Sequence, residues 1–189
     1  DEQKGLAHFT EHMAFNGTRS FPENELINYL QKAGVRFGAD LNAYTGFDQT
    51  VYQLPLPTSD PELFETGFTI LAEWAGHVSF DGAEIDKERG VIIEEERQRG
   101  KNVSERISKQ LLPVLLANSR YNERLPIGDV NIINNFDHET LKQFYKNWYR
   151  PDLQAIIAVG DFDTEKVEDL IKMKFSSLKS PSKVPELVS

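Results

Sequence analysis

The chain has 189 residues, with 30 acidic against 21 basic side chains, a formal net charge of −9, 39% apolar and 27% charged residues. That balance fits a folded globular chain and argues against collagen-like, low-complexity or disordered sequence. The acidic side chains are spread along the sequence and would repel a nucleic-acid backbone, so DNA and RNA are poor partners.

Cysteine is absent. Disulfides, thiolate zinc fingers, iron–sulfur clusters and cysteine nucleophiles are therefore excluded, and any metal has to be held by nitrogen and oxygen. No run approaches the roughly 18 apolar residues of a membrane span, and the first five residues lack the charged-then-apolar order of a signal peptide. The sequence opens on Asp1 without a methionine and reaches its first motif by His8, which reads as a fragment of a longer precursor.

Residues 6–15 contain no proline or glycine and read as a helix that stops near Asn16-Gly17. Ser20 with Glu23 suits a capping box, and Leu26, Ile27 and Leu30 then recur at helical spacing up to Gly34. Residues 36–56 change to alternation, with Leu41, Ala43, Val51, Tyr52 and Leu54 flanking Gly46-Phe47-Asp48, and predict a β-hairpin. Asp60-Pro61 starts a helix to about Ser79, with a buried stripe of Leu63, Phe64, Leu71, Trp74, Ala75 and Val78.

Residues 83–117 form a long charged helical stretch with possible breaks at Gly100 or Pro113. Residues 120–135 read as an irregular loop. Asp137 caps a helix carrying Leu141, Phe144, Tyr145 and Trp148, residues 153–159 read as a buried strand, and Asp163 caps a last helix with Val167, Leu170, Ile171 and Phe175. The tail is rich in Ser, Pro and Lys. We expect one domain over residues 1–178, of class α+β with an antiparallel sheet packed on helices, and a linker over 179–189.

The chemistry is concentrated in His8, Glu11 and His12, spaced H-x-x-E-H on the first helix. At about 100° per residue the two histidines fall about 40° apart and Glu11 about 60° to the other side of His8, so all three share one face. Two imidazoles one turn apart suit a single Zn²⁺, with the glutamate beside the open position where water sits; this is the inverted zincin pattern. His77 and His138 lack such partners and read as structural.

A catalytic zinc usually has three protein ligands, and residues 84–96 are the reservoir for the third. Glu88 and Glu95 lie seven apart on one helical stripe flanked by Val91 and Ile92, which faces inward; Glu94 points toward solvent; Glu96 stays open on the wheel alone. An inward pair of carboxylates needs a cation or donors to offset its burial.

Four segments carry a resemblance to a known family: residues 5–18 (GLAHFTEHMAFNGT), 42–45 (NAYT), 88–95 (ERGVIIEE) and 148–151 (WYRP). The chain resembles the N-terminal domain of the pitrilysin/insulysin family of zinc peptidases, and within it the long bacterial members. The resemblance implies a fold of the pitrilysin/mitochondrial-processing-peptidase type. It also implies metal ligands His8, His12 and Glu95, Glu11 as general base, and Glu88 as an outer carboxylate orienting a ligand histidine.

It implies further that the strand at Asn42, Ala43 and Tyr44 is a sheet edge that pairs with an extended peptide or unfolded-protein substrate. The family builds its chamber from two halves, so the C-terminal half of the parent is an expected partner. The isolated fragment is then expected to be a weak peptidase or an inactive one. A strand expected ahead of Gly5 is not in the sequence, and the likeness to bacterial proteases suggests the periplasm. The competing reading is a noncatalytic relative serving assembly, against which stands the presence of all five motif residues. A lyase that shares H-x-x-E-H needs cysteine and is set aside.

Overall fold

The computed structural model describes residues 2–35 and 42–185. Arg36 to Leu41, where the hairpin was expected to begin, lie outside the described residues. Helices α1 (Leu6–Met13) and α2 (Glu25–Lys32) come first, then strands β1 (Asn42–Thr45) and β2 (Thr50–Gln53). They are followed by α3 (Pro61–Gly76), α4 (Gly82–Arg99), α5 (Val103–Leu115), α6 (Val130–Asn135), α7 (His138–Trp148) and α8 (Thr164–Phe175). Short 3-10 turns at Arg120–Glu123 and Pro151–Leu153 complete the order. The domain is mostly helical with one two-stranded antiparallel sheet, an α+β fold as the sequence predicts.

Cap chemistry sets most of the helix starts. Asp60, Asp81, Asn102, Asp129, Asp137 and Asp163 each accept backbone N–H bonds from the first turn of α3 to α8 in order, satisfying donors that a helix end otherwise leaves open. The long charged stretch breaks at Gly100–Asn102, and Pro113 is carried inside α5.

The core is built where these helices meet. Leu6, Phe9 and Met13 of α1 pack with Leu26 and Leu30 of α2, Ile70 and Trp74 of α3, Ile85 and Ile92 of α4, Ile133 of α6, and Leu141 and Tyr145 of α7. Each such side chain contributes about 1.5–3 kcal/mol relative to its exposed state. The Trp74 indole N–H donates to the Ala14 carbonyl at 2.9 Å, which fixes the C-terminal end of α1 against α3. Arg89 of α4 donates to the carbonyls of Ile133 (2.5 Å) and Phe136 (2.7 Å) and lies 4.0 Å from the Phe136 ring centroid, clamping the end of α6 to α4.

Four expectations need correction. The Ser20–Glu23 capping box does not form: α2 starts two residues beyond Glu23, at Glu25, and the Ser20 amide donates instead to Glu73, whose buried carboxylate also receives Arg19. Residues 120–135 are not all irregular, because Asp129 caps α6 and Ile133 anchors it in the core. Val91 is half exposed and does not share the buried stripe of Ile85 and Ile92.

The fourth concerns residues 153–159, which form no strand. Ile157 and Val159 are 84% and 90% exposed, and no described strand pairs with this segment. An apolar run becomes a buried strand only when a neighbour supplies the ladder and covers its faces.

The N-terminus of α1 is held by a close backbone crossing. Gly5 (φ 92°) and Gly128 (φ 86°) are both left-handed, and a Cβ added at Gly128 would meet the Gly5 Cα at 2.4 Å. Gly128→Ala therefore combines an unfavourable φ with a backbone clash, and it is expected to destabilise the domain by about 1–3 kcal/mol in urea unfolding. A midpoint equal to that of the wild type would show that the crossing is not a constraint.

Candidate metal centre

One face of α1 supplies the core with Leu6, Phe9 and Met13, and another presents His8, Glu11 and His12 toward α4 and β1. The equivalent division on α4 is longer. Ile85 and Ile92 are buried, and Glu88 and Glu95, three residues after each, extend the same stripe to meet the histidines.

The meeting is close. His8 Nε2 and His12 Nε2 are 3.2 Å apart, and Glu95 Oε2 is 3.5 Å from each. These three ligand atoms all lie within 4.8 Å of one another. Glu95 is aimed by Arg99, one turn on, which donates to Oε1 at 2.6 and 3.0 Å and leaves Oε2 facing the imidazoles. Glu94 pairs with Arg97 and Glu96 with Lys109, so neither turns toward the histidines.

Behind this cluster stands a second set of bonds. Glu88 Oε1 accepts from His12 Nδ1 at 2.7 Å, which leaves His12 Nε2 free to face His8, and Glu88 Oε2 accepts from Asn16 Nδ2 at 2.6 Å. Glu11 Oε2 accepts from the Thr45 hydroxyl at 2.5 Å, tying α1 to β1. His8 Nδ1 is buried with no hydrogen-bond partner among the described residues.

The electrostatics follow from burial and from these partners. Burial pushes the His8 imidazole down to about 4, and the neighbouring His12 charge adds to the effect, so His8 is neutral at physiological pH. Burial also acts to lower His12, but the bond to Glu88 and the surrounding carboxylates outweigh it and raise that histidine above its ordinary value. Glu88 is partly buried, which acts to raise it, yet the bonds from His12 and Asn16 hold its carboxyl below the usual range. Burial lifts the Glu11 carboxyl, only partly offset by the Thr45 bond.

The donor set fits a zinc ion. Two ligand nitrogens on one tetrahedral zinc, with bonds of about 2.0 Å, stand about 3.3 Å apart. The observed Nε2–Nε2 separation is 3.2 Å. Two imidazoles and one carboxylate are also a three-ligand combination of catalytic zinc sites, which keep the fourth position open.

All five motif residues named from the sequence meet in one place. Asn42, Ala43 and Tyr44 lie on β1 beside it, paired antiparallel with β2 from Asn42↔Gln53 to Thr45↔Thr50. Asn16, Thr45 and Arg99 were not singled out. Arg99 sits at the i,i+4 spacing from Glu95 that marks a helical ion pair, and Asn16 lies one turn beyond His12 on the same side. Thr45 closes the NAYT segment; its link to Glu11 crosses 34 residues and has no local signal.

Comparison with known proteins gives the family. The model of the insulinase family (peptidase family M16) matches residues 1–126, and that of the peptidase M16 inactive domain matches residues 135–188. The chain is 43% identical over 176 residues, 93% of its length, to the "Probable zinc protease PqqL" of Haemophilus influenzae. It is 42% identical over 178 residues, 94% of its length, to the protein of the same name in Escherichia coli. It spans 19% of the length of each of these relatives.

The crystal structure of the first half of the periplasmic protease PqqL from Escherichia coli superposes with a TM-score of 0.94 at 40% identity, covering the whole of this chain and 40% of that one. With a family model matched over two thirds of its residues and relatives above 40% identity across its length, the chain belongs to the insulinase (M16) family of peptidases.

Proposed function

We propose that this chain is the metal-binding domain of a zinc metalloendopeptidase, with His8, His12 and Glu95 as ligands and Glu11 as general base. The observation that carries the reading is the convergence of the three ligand atoms within 4.8 Å beside a buried glutamate. When bound there, zinc lowers the pKa of a water and polarises the scissile carbonyl.

The protein's own groups have distinct tasks. Neutral His8 offers Nε2 without having to lose a proton, because burial already disfavours its charged form. Glu88 fixes His12 in the tautomer that bears its proton on Nδ1 and directs Nε2 inward. Glu11, with Oε2 tied to Thr45, takes the water's proton on Oε1 and passes it to the leaving amine. Its raised pKa brings that exchange nearer to neutral pH.

The described sheet has two strands, so among the described residues no strand pairs with the edge of β1 opposite β2. An extended peptide pairing along Asn42, Ala43 and Tyr44 would lie beside Glu11, the usual logic of strand addition to an edge. Since the chain spans about a fifth of its curated relatives, turnover is assigned to the parent with its C-terminal half in place. The structural relative's periplasmic setting supports the same compartment here. No helix among the described residues is long and apolar enough to cross a membrane.

Two variants test these roles. Glu11→Gln in the full-length parent is expected to abolish cleavage of an internally quenched peptide while zinc content by atomic absorption stays at wild-type level; full turnover in that variant would remove Glu11 as base. Glu88→Ala frees the His12 ring and is expected to weaken zinc affinity by about 10- to 100-fold in chelator competition. Unchanged affinity would show that Glu88 does not support the ligand.

A further inference from the structure

Glu11 is the end of a longer chain of hydroxyl groups. Its Oε2 accepts from Thr45, and the Thr45 Oγ1 lies 3.2 Å from the Thr50 Oγ1. The chain runs from α1 through both strands, and near its far end the Tyr149 and Tyr52 hydroxyls form a separate pair at 2.8 Å.

The direction of every bond is forced by proton counting. An ionised carboxylate only accepts, so Thr45 donates to Glu11. A hydroxyl has one proton, so Thr45 accepts from Thr50. Both threonine hydroxyls thus point their protons toward Glu11. Such aligned bonds polarise one another and strengthen the last of the series.

The threonine pair is held by the hairpin, and the tyrosine pair is held by its ring contacts. Thr45 and Thr50 are directly opposed in the β1–β2 register, closed by the Gly46 N–H to Gln49 carbonyl bond of the turn at 2.8 Å. Tyr52 stacks on Trp74 with ring centroids 5.3 Å apart, and Tyr149 packs against Tyr145 at 4.6 Å. Tyr52 and Tyr149 are partly buried against the core, and each hydroxyl has the other as partner. Moving Glu11 Oε2 would break a series that crosses both strands.

We infer that Thr45, backed by Thr50, is the positioning residue of Glu11: it pins Oε2 so that Oε1 alone receives and returns the proton. When Oε1 is protonated, Oε2 becomes carbonyl-like and still accepts from Thr45, so the same geometry serves both halves of the transfer. This rests on the reading of Glu11 as base.

The test uses the full-length parent with Thr45→Val, Thr45→Ser, Thr50→Val and, beside them, Glu11→Gln, each assayed on an internally quenched peptide. Thr45→Val is expected to lower kcat by about 10- to 100-fold with KM within about twofold, the scale of a misplaced reacting group. Zinc content should be unchanged, and Thr45→Ser should recover most of the kcat. Thr50→Val, which cuts the chain one step farther back, should lower kcat less than Thr45→Val, again at constant KM. Crystals of Thr45→Val should show the Glu11 carboxylate in a second rotamer that Thr45→Ser lacks.

Wild-type kcat in Thr45→Val, equal impairment in Thr45→Ser, or an unmoved Glu11 in the crystals would overturn the inference while leaving Glu11 as base, provided Glu11→Gln is inactive. Full turnover in Glu11→Gln overturns both.

Discussion

The bond between Glu88 and His12 is the constraint on which the rest of the site depends. It joins the two helices that carry the chemistry, and it decides which nitrogen of His12 faces His8. Asn16 takes the other Glu88 oxygen, so that carboxylate has no freedom to turn away. An unpaired carboxylate at this depth would be costly, and the imidazole and amide donors are what make its burial tolerable. The packing of Ile85 and Ile92 beneath α1 brings the stripe to the right height, and the Gly5–Gly128 crossing holds the start of α1.

Around that bond the groups are tuned in opposite senses. His8, buried without a partner for Nδ1 among the described residues, is kept neutral, whereas His12, bonded to Glu88, is drawn toward its charged form. Glu88 is held low and Glu11 is lifted, though both are carboxylates withdrawn from solvent, wholly or in part, within the same cluster. The difference is the number and kind of donors: an imidazole and an amide for Glu88, one hydroxyl for Glu11. Two carboxylates thereby suit a fixed supporting task and a proton-exchanging one.

How far the sequence led can be argued from these same residues. The i,i+4 spacing of His8 and His12 and the seven-residue spacing of Glu88 and Glu95 are helical periodicities, and periodicity is what a sequence states most plainly. Those helices and the α+β class were legible for that reason. The choice of Glu95 over Glu96 was not open to the wheel; it came from family resemblance, and the structure turns Glu96 to Lys109 instead. The short α6 escaped because six residues of VNIINN carry little intrinsic preference, although Asp129 was a visible cap. The apolar run 153–159 misled because burial depends on a neighbour that a local pattern does not contain. The Glu11–Thr45–Thr50 series joins residues up to 39 positions apart, from Glu11 to Thr50, and only the fold reveals it.

The central claim is that His8, His12 and Glu95 together hold one zinc ion. Anomalous diffraction at the zinc edge from crystals grown with zinc tests it most directly. The account predicts one strong peak bonded to His8 Nε2, His12 Nε2 and Glu95 Oε2, with Glu88 on His12 Nδ1 and outside the coordination sphere. A peak bonded to Glu88 or Glu96 in place of Glu95, or none between the two imidazoles, would contradict it.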